Sequence, residues 1–294
     1  MIEIKNLIKT YDRKSEAINI ANLTIKDNTI VGLIGVNGSG KSTLLRLITG
    51  VFKEDAGEIK IDGKEVYDNE ESKKDILFIS DNPIATTNTS IKSIEDFYVT
   101  FYKMDPEKYH ANLKLFDLPN KGSLSKFSKG MRRRVFIAVA LAIRPKILIL
   151  DEAFDGIDSV GRDIFKKELL KVFQENKMIV IIASHSLREL EDICDQYILL
   201  KKGKIASQGS IDMQDGILHK YVIGFKDATT SDTFNCAEFI NIYGQGKIFT
   251  IITRLNMNDF TKYISKFNPA LIDEQELTFE ELFINTNEED KKYE

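Results

Sequence analysis

Residues Gly35–Thr43 read Gly-Val-Asn-Gly-Ser-Gly-Lys-Ser-Thr and match the phosphate-binding pattern G-x-x-x-x-G-K-[ST]. The glycines let the backbone curl so that amide N–H groups point at phosphate oxygens, and the helix that follows adds its positive N-terminal end. Lys41 supplies a charge for the β- and γ-phosphates, and Ser42 is placed to ligate Mg²⁺. We therefore predict a nucleotide site that includes Gly35, Asn37, Gly38, Ser39, Gly40, Lys41, Ser42 and Thr43.

Two acids, Asp151 and Glu152, come directly after the apolar run Ile147–Leu150. Ligands of open α/β sheets bind at the carboxyl ends of strands, which is where this pair is expected. Asp151 is predicted to hold Mg²⁺, directly or through water, and Glu152 to polarise the water that attacks the γ-phosphate. A strand that ends at two surface acids is also common, and the phosphate loop is what favours the catalytic interpretation.

A third polar strand end is Ser184-His185, after the apolar run Met178–Ala183. A lone histidine is usually structural or solvated. Here the strand is expected to neighbour the acidic pair, where a neutral imidazole can hydrogen-bond the γ-phosphate and the attacking water. We therefore predict a catalytic role for His185.

The segment Phe127–Met131 is a short polar turn that opens a strong helix. Ser128 is a good N-cap, and a serine hydroxyl with the Gly130 amide at a helix N-terminus also forms an anion site. The three arginines Arg132–Arg134 follow directly. We interpret them as a solvated face with partners for nearby acids, in preference to a nucleic-acid contact.

Length and composition describe an ordinary globular chain. At roughly 150 residues per domain, 294 residues suggest two domains, and 43% hydrophobic with 29% charged residues excludes disorder for the bulk of the chain. The net charge of −4 gives no support to a nucleic-acid partner. Two cysteines fit a reducing cytoplasm, and with no signal peptide or bilayer-length apolar run we expect a soluble intracellular protein.

The phosphate loop, the acidic pair and His185 follow short apolar runs that are bounded by turn residues. These runs predict strands that are buried on both faces of a parallel sheet and that position the motifs at its edge. Helical patterns at Lys41–Thr49 and Arg162–Glu175 lie between them and favour a doubly wound α/β core. The predicted strands are Ile30–Gly35, Ile76–Ser80, Ile147–Leu150, Met178–Ser184 and Gln196–Leu200.

Two further kinds of segment surround this core. Ile2–Lys9 and Ile18–Lys26 alternate apolar with polar residues, which predicts half-exposed antiparallel strands. A mostly helical insertion runs from about Ile91 to Ile143, with breaks at Pro106 and at 119–125.

The pattern changes near Gly216, and residues 216–294 are predicted to form a small α+β domain. Ile217–Phe225 predicts a strand, and Gly244-Gln245-Gly246 predicts a hairpin turn. Asn258–Phe267 is amphipathic, and a last apolar segment covers Phe279–Phe283.

The motifs and their order resemble the nucleotide-binding subunits of ATP-binding cassette (ABC) transporters over about residues 1–215. Gly35–Thr43 looks like the Walker A loop, and Ile147–Glu152 looks like the Walker B strand with its catalytic glutamate. Phe127–Met131 looks like the family signature, in which Ser128 and Gly130 contact the γ-phosphate. The resemblance implies an α/β P-loop core with an antiparallel β subdomain and a helical subdomain at about 82–143.

Three more positions follow from the resemblance. Asp155-Gly156-Ile157-Asp158 is similar to the D-loop, whose key acid would be Asp158, and His185 falls at the family's switch histidine. Tyr11 falls where an aromatic residue stacks on adenine; a surface tyrosine in a hairpin is the alternative.

The sequence also departs from the family pattern. Asp81 stands where a glutamine usually senses Mg²⁺, and its shorter side chain is still expected to reach the metal. Lys129 and Met131 replace a glycine and a glutamine of the signature, and Ala153 replaces a proline after Walker B. The predicted metal ligands are therefore Ser42, Asp81 and Asp151, with ATP and Mg²⁺ as the cofactors.

The resemblance also implies partners. In this family ATP lies between Walker A of one subunit and the signature of another, so a second nucleotide-binding subunit, identical or different, is required. A separate transmembrane permease is implied, with the ATPase peripheral on the inner face of the plasma membrane. The ending Leu277–Phe283 is similar to that of single-domain exporter ATPases, which favours an exporter of amphipathic or antimicrobial peptides or drugs.

Two other classes compete with transport. A soluble ABC ATPase of ribosomes or chromosomes would carry two cassettes or long coiled coils, and this chain has one cassette and no heptad array. A P-loop GTPase would carry Asn-Lys-x-Asp at a strand end, and it would leave Phe127–Met131 unexplained.

Overall fold

The computed structural model describes residues 1–11, 16–83, 89–211, 218–234, 236–278, 280–281 and 285. The chain divides into two compact units, residues 1–211 and 212–294. The boundary expected near Gly216 falls outside the described residues. In the part of the chain that is described, no helix is both long and apolar enough to cross a bilayer.

The core elements predicted from the sequence are present in the first unit, and their ends agree within three residues. The strands are β1 (Ile2–Thr10), β2 (Glu16–Ile25), β3 (Thr29–Ile34), β4 (Ala56–Ile61), β5 (Lys64–Glu65), β6 (Ile76–Ile79), β7 (Ile147–Asp151), β8 (Ile179–Ser184), β9 (Gln196–Lys201) and β10 (Lys204–Ser210). The helices are α1 (Lys41–Ile48), α2 (Glu70–Lys73), α3 (Ile91–Tyr102), α4 (Pro106–Leu115), α5 (Lys129–Ile143), α6 (Ser159–Glu175) and α7 (Leu187–Glu191).

A six-stranded sheet with the order β10-β9-β3-β8-β7-β6 forms the centre of this unit. Its strands run parallel except β10, which pairs antiparallel with β9 at one edge. Every residue of β3, β7 and β8 is buried, as expected for strands covered on both faces. Because parallel strands end at the same edge, the residues after β3, β6, β7 and β8 are brought together.

A second sheet, with the order β2-β1-β4-β5, is antiparallel throughout. Its buried face includes Ile2, Ile4 and Leu7 of β1, and these side chains belong to one apolar cluster with Leu44 and Leu45 of α1. The alternation seen in β1 and β2 therefore reflects one face packed on the core and one face in water. The strands β4, β5 and β10 were not predicted.

The helical segment consists of α3, α4 and α5. A capping box at Ser90 begins α3, and Asp105 caps α4 ahead of Pro106. Proline at the first helical position loses no hydrogen bond, so the break predicted at Pro106 is the start of a new helix. The second predicted break holds a short 3₁₀ turn, Leu124–Lys126, before α5 begins.

The second unit contains β11 (His219–Thr229), β12 (Phe239–Thr253), β13 (Leu271–Gln275) and α8 (Met257–Ile264), and its antiparallel sheet has the order β12-β11-β13. The hydroxyl of Thr253 donates to the carbonyl of Glu238 at 2.9 Å. A straight strand of fifteen residues would separate its ends by about 50 Å. The segment β12 therefore folds back on itself, and the predicted turn residues Gly244 and Gly246 have φ of 119° and 75°.

An aromatic core holds the second unit together. The rings of Tyr221 and Phe260 stack with centroids 4.0 Å apart, and Phe234 meets Phe249 edge-on at 4.9 Å. This core joins α8 to the sheet, so the unit has the α+β character expected from the sequence. Of the predicted segment 279–283 only two residues are described, and both are helical.

Candidate functional site

The phosphate loop connects β3 to α1, and its glycines are required by its backbone. Gly38 and Gly40 have φ of 82° and 107°, a region that side chains disfavour. A Cβ at Gly35 would lie 2.6 Å from the carbonyl oxygen of Leu200, and one at Gly40 would lie 2.7 Å from that of Ala17. The loop is therefore packed against neighbouring backbone at Gly35 and Gly40.

Lys41 is held beneath this loop. Its ammonium group donates to the carbonyl oxygen of Gly35 at 2.7 Å and lies 3.6 Å from Oε1 of Glu152. The side chain is only 6% exposed. An ammonium group has three N–H donors, so beside one hydrogen-bonded carbonyl and one carboxylate at 3.6 Å it still has a donor for an anion.

A cavity of about 620 Å³ opens above the loop. It brings together residues from the phosphate loop, the end of β1, the start of β2, the residues after β6 and β7, and the turn between β9 and β10. Glu16, Ala17, Lys202 and Gly203 were not predicted. The lining residues are Tyr11, Glu16, Ala17, Asn37, Gly38, Gly40, Lys41, Ser42, Thr43, Asp81, Glu152, Lys202 and Gly203.

Tyr11 lies at the mouth of this cavity with 56% of its surface exposed. Its hydroxyl is hydrogen-bonded to the Thr43 hydroxyl at 3.0 Å, and its ring meets Phe52 edge-on with centroids 6.2 Å apart. The ring is therefore fixed at two points while much of it stays open. An aromatic face of this kind is what stacking on a base requires.

The predicted metal ligands fit a divalent cation. Asp151 is 1% exposed, and neither of its carboxylate oxygens has a hydrogen-bond partner among the described residues. Burial raises the pKa of Asp151, and the negative charges of Asp81 and Glu152 raise it further. The Ser42 hydroxyl and the positive charge of Lys41 lower it in part. A buried carboxylate with only the Ser42 hydroxyl as a neighbouring donor is costly unless a cation meets it, and hard oxygen ligands favour Mg²⁺.

Glu152 directly follows β7 and is held in an unusual conformation. Its φ is 49°, and its amide donates to the carbonyl oxygen of Ala183 on β8 at 2.9 Å. Its Oε2 lies 2.9 Å from Nδ1 of His185, while its Oε1 faces Lys41. The sheet order therefore joins three predicted residues whose strands are separated in the sequence.

His185 does not line the cavity itself, and a network lies behind it. The hydroxyl of Ser184 donates to Glu189 at 2.8 Å and accepts from the amide of Ser186 at 3.0 Å. Glu189 in turn pairs with Arg162 at 2.7 Å. These contacts hold the backbone on both sides of His185 and so fix the position from which its ring reaches Glu152.

The signature residues do not line the cavity described above. The Ser128 hydroxyl accepts from the amide of Met131 at 3.1 Å and caps α5, and Asp158 caps α6 through the amide of Gly161 at 2.7 Å. A Cβ at Gly130 would lie 2.0 Å from the carbonyl oxygen of Gly156. The start of α5 is therefore in backbone contact with the loop that follows β7.

The interpretation of Arg132–Arg134 as a solvated face is wrong for Arg133, which is 1% exposed. Its guanidinium donates to the carbonyl oxygen of Ser80 at 3.1 Å, to that of Asp151 at 2.9 Å, and to that of Asp81. Consecutive helical residues point about 100° apart, so three in a row cannot share one face. That geometry is the one signal that the sequence offers for the buried arginine.

Burial lowers the pKa of Arg133, and a ring of carboxylates opposes this effect. The acids are Asp155, Asp81, Asp151 and Glu152. The guanidinium therefore joins the ends of β6 and β7 and offsets part of the negative charge that collects behind the cavity.

Comparisons with known proteins agree with this geometry. The family model described as "ABC transporter" matches residues 18–155. The energy-coupling factor transporter ATP-binding protein EcfA1 of Oenococcus oeni is 36% identical over 72% of this chain and 80% of that protein. The lantibiotic transport ATP-binding protein SrtF of Streptococcus pyogenes is 31% identical over 74% and 94% of the two chains. The ABC transporter ATP-binding protein YtrB of Bacillus subtilis is 25% identical over 97% of both.

Solved structures show the same fold. The dimeric ATP-binding cassette MJ0796, captured in a post-hydrolysis state with ADP and Pi, has a TM-score of 0.65 and 26% identity. The match covers 72% of this chain and 99% of that one. The matched share is close to the length of the first unit.

Proposed function

Because the chain belongs to the ABC transporter family as an ATP-binding and ATP-hydrolysing subunit, we propose that it powers an exporter of amphipathic or antimicrobial peptides or drugs. The observation that carries the ATP-dependent part of the proposal is the cavity lined by Lys41, Asp81, Glu152 and Tyr11. The match to SrtF, a lantibiotic transport protein, supports a peptide as cargo. The match to YtrB, which extends over both units, supports a role for the second unit in the same process.

We assign the phosphates of ATP to the phosphate loop and Lys41, and adenine to the open end of the cavity beside Tyr11. The loop amides and Lys41 would bind the β- and γ-phosphates, because Lys41 is a buried cation already oriented by the Gly35 carbonyl. Thr43 and the Tyr11 ring lie beside each other at the open end. Adenine would stack there, since stacking needs a fixed ring with a free face.

Asp151, Ser42 and Asp81 would hold Mg²⁺, which offsets the charge of the phosphates when bound. The electrostatics support this assignment, because Asp81 and Glu152 line the same cavity as the phosphate loop and Asp151 lies buried behind them. Without a cation these acids would repel a triphosphate. Arg133 bonds main-chain carbonyls of Asp81 and Asp151, so its guanidinium does not occupy their carboxylate oxygens.

Glu152 would act as the general base. In hydrolysis a water oxygen attacks the γ-phosphorus, the bond to the β-phosphate bridging oxygen breaks, and the water proton passes to the Glu152 carboxylate. Lys41 lies 3.6 Å from that carboxylate, so ATP would draw the ammonium toward the phosphates and free Oε1 for the water. His185, at 2.9 Å from Oε2, would orient the carboxylate and reach the γ-phosphate.

A second nucleotide-binding subunit completes the proposed site. Ser128 and Gly130 are not among the described residues that line the cavity of their own subunit, and the matched cassette MJ0796 is dimeric. In the proposed arrangement these two residues contact ATP held by the other copy. A transmembrane permease would then receive the motion of the two ATPases, which places this chain at the inner face of the plasma membrane.

Glu152→Gln tests this mechanism. The substitution keeps the size of the side chain and removes the base, so hydrolysis should fall by about 10²- to 10⁴-fold while ATP still binds. The variant should be a monomer without nucleotide and a dimer with Mg-ATP when measured by light scattering after size exclusion. Adding Ser128→Arg should block the dimer, and Glu168→Gln on α6 is the matched control with normal turnover.

If Glu152→Gln stays monomeric under saturating ATP, the variant is then mixed with a second cassette subunit encoded by a neighbouring gene, where the genome has one. Failure to dimerise there as well would reject the shared site.

Export is tested separately: co-expression with an adjacent six-helix membrane protein should protect cells from an amphipathic peptide, and Glu152→Gln should abolish the protection. Protection that survives the substitution would reject the coupling of hydrolysis to export.

A further inference from the structure

We propose that Lys202, on the turn between β9 and β10, is a further nucleotide-binding residue that contacts the phosphate chain of ATP. The inference rests on the proposed function, because it concerns the same cavity. Lys202 and Gly203 line this cavity together with the phosphate loop. No motif in the sequence pointed to them.

The conformation of this turn does not favour a lysine. Lys201 pairs with Lys204, so the connection consists of two residues, Lys202 and Gly203, with φ of 49° and 76°. Two positive φ values define a type I′ turn, in which asparagine or aspartate is preferred before glycine. Local conformational preference therefore does not account for Lys202.

The turn is anchored to the nucleotide site. The amide of Gly203 donates to the carbonyl oxygen of Ser39 in the phosphate loop at 2.8 Å, and its carbonyl accepts from the amide of Asn19 on β2 at 2.8 Å. A Cβ at Gly203 would lie 2.6 Å from the carbonyl oxygen of Ala17. The backbone next to Lys202 is thus fixed against the two segments that border the cavity.

The charge of Lys202 has no partner within the described residues, where it forms no ion pair or hydrogen bond. Lys41, the other lysine of the cavity wall, already contacts the Gly35 carbonyl and Glu152. The carboxylate of Glu16 on the same wall accepts a hydrogen bond from the side-chain amide of Asn19 at 2.7 Å. A free ammonium at the rim of a phosphate site is complementary to a polyphosphate, and this identifies the ligand class.

Lys202→Asn separates this role from a structural one, because asparagine suits the type I′ turn better than lysine. The full chain is titrated with Mg-ATP and Mg-ADP by calorimetry at low and high salt, and its unfolding is followed in urea. We expect affinity for both nucleotides to fall about two- to fivefold, as for an exposed ion pair, with no fall in the unfolding midpoint. The difference from wild type should shrink at high salt.

Three variants make the result decisive. Lys204→Asn removes an exposed lysine from the same turn region that does not line the cavity, and it should stay within about twofold of wild type. Lys202→Arg should restore most of the affinity, since the contact depends on charge. Lys41→Ala should abolish tight binding.

Equal affinities for Lys202→Asn and Lys204→Asn, with Lys41→Ala weakened, would overturn the inference and leave the proposed function standing. Unaltered binding by Lys41→Ala would reject the proposed function itself. Loss of affinity in Lys202→Arg equal to that in Lys202→Asn would also overturn the inference, because charge would not be the cause.

Discussion

Replacement of Arg133 by methionine tests whether one buried cation holds the ends of two strands together. Methionine retains much of the length and the apolar stem of arginine but donates no hydrogen bond. In the native structure the guanidinium donates to the carbonyl oxygens of Ser80, Asp81 and Asp151. The substitution leaves all three without this donor, and the hydrogen bond to the Asp151 carbonyl is the fully buried one.

The expected loss of stability follows from these contacts. Each buried carbonyl deprived of a partner costs about 1–3 kcal/mol, and removal of one member of a buried charged network costs about 3–5 kcal/mol. The contributions are not additive, so we expect Arg133→Met to lower the free energy of unfolding by about 4 kcal/mol. With a denaturant slope of about 3 kcal/mol per molar urea, the midpoint should fall by about 1.3 M.

Urea unfolding followed by far-UV circular dichroism measures this shift. The matched control is Arg132→Met, which makes the same change one residue earlier on α5, at a partly exposed position with no hydrogen bond to the described residues. Arg132→Met should move the midpoint by less than about 0.2 M, because partly exposed substitutions usually alter stability by less than about 0.5 kcal/mol.

A functional readout accompanies the stability measurement. Because Arg133 bonds the main chain at Asp81 and Asp151, its loss should also raise the Mg²⁺ concentration needed for half-maximal ATP hydrolysis. If Arg133→Met and Arg132→Met unfold at the same urea concentration, the buried network does not stabilise the strand ends and this reasoning is refuted.

Three further substitutions test other parts of the site. His185→Ala should slow hydrolysis and largely spare the calorimetric affinities for ATP and ADP, because the ring is assigned to Glu152 and the γ-phosphate and not to adenine or the α- and β-phosphates. A collapse of both affinities would make the residue structural. Tyr11→Ala should weaken the binding of ATP and GTP alike by about 1–3 kcal/mol, because stacking tolerates any base, while Tyr11→Phe should retain most of the affinity. Unchanged binding by the alanine variant would contradict stacking. Gly130→Ala places a Cβ 2.0 Å from the carbonyl oxygen of Gly156, so it should reduce the free energy of unfolding in urea by about 1–3 kcal/mol. A wild-type midpoint would show that the loop containing Gly156 moves aside at no cost.

The phosphate loop and the central strands could be predicted because their determinants are local. The glycines of residues 35–40 specify the turn, and continuous apolar runs such as Ile147–Leu150 specify strands buried on both faces. Short or exposed strands carry no such signal. β4 and β10 were missed for this reason, since their residues are held in place by pairing with β1 and β9.

The sequence by itself determined that a nucleotide loop, an acidic strand end and a strand-end histidine exist in this chain. Only the tertiary structure decided that they meet, because the order β3-β8-β7-β6 brings Lys41, Glu152 and His185 to one edge of the sheet. The same packing buries Arg133 and brings Lys202 to the cavity wall. The helical spacing of Arg132–Arg134 shows only that one of them turns inward, and the partners of Arg133 and the position of Lys202 both depend on segments distant in the chain.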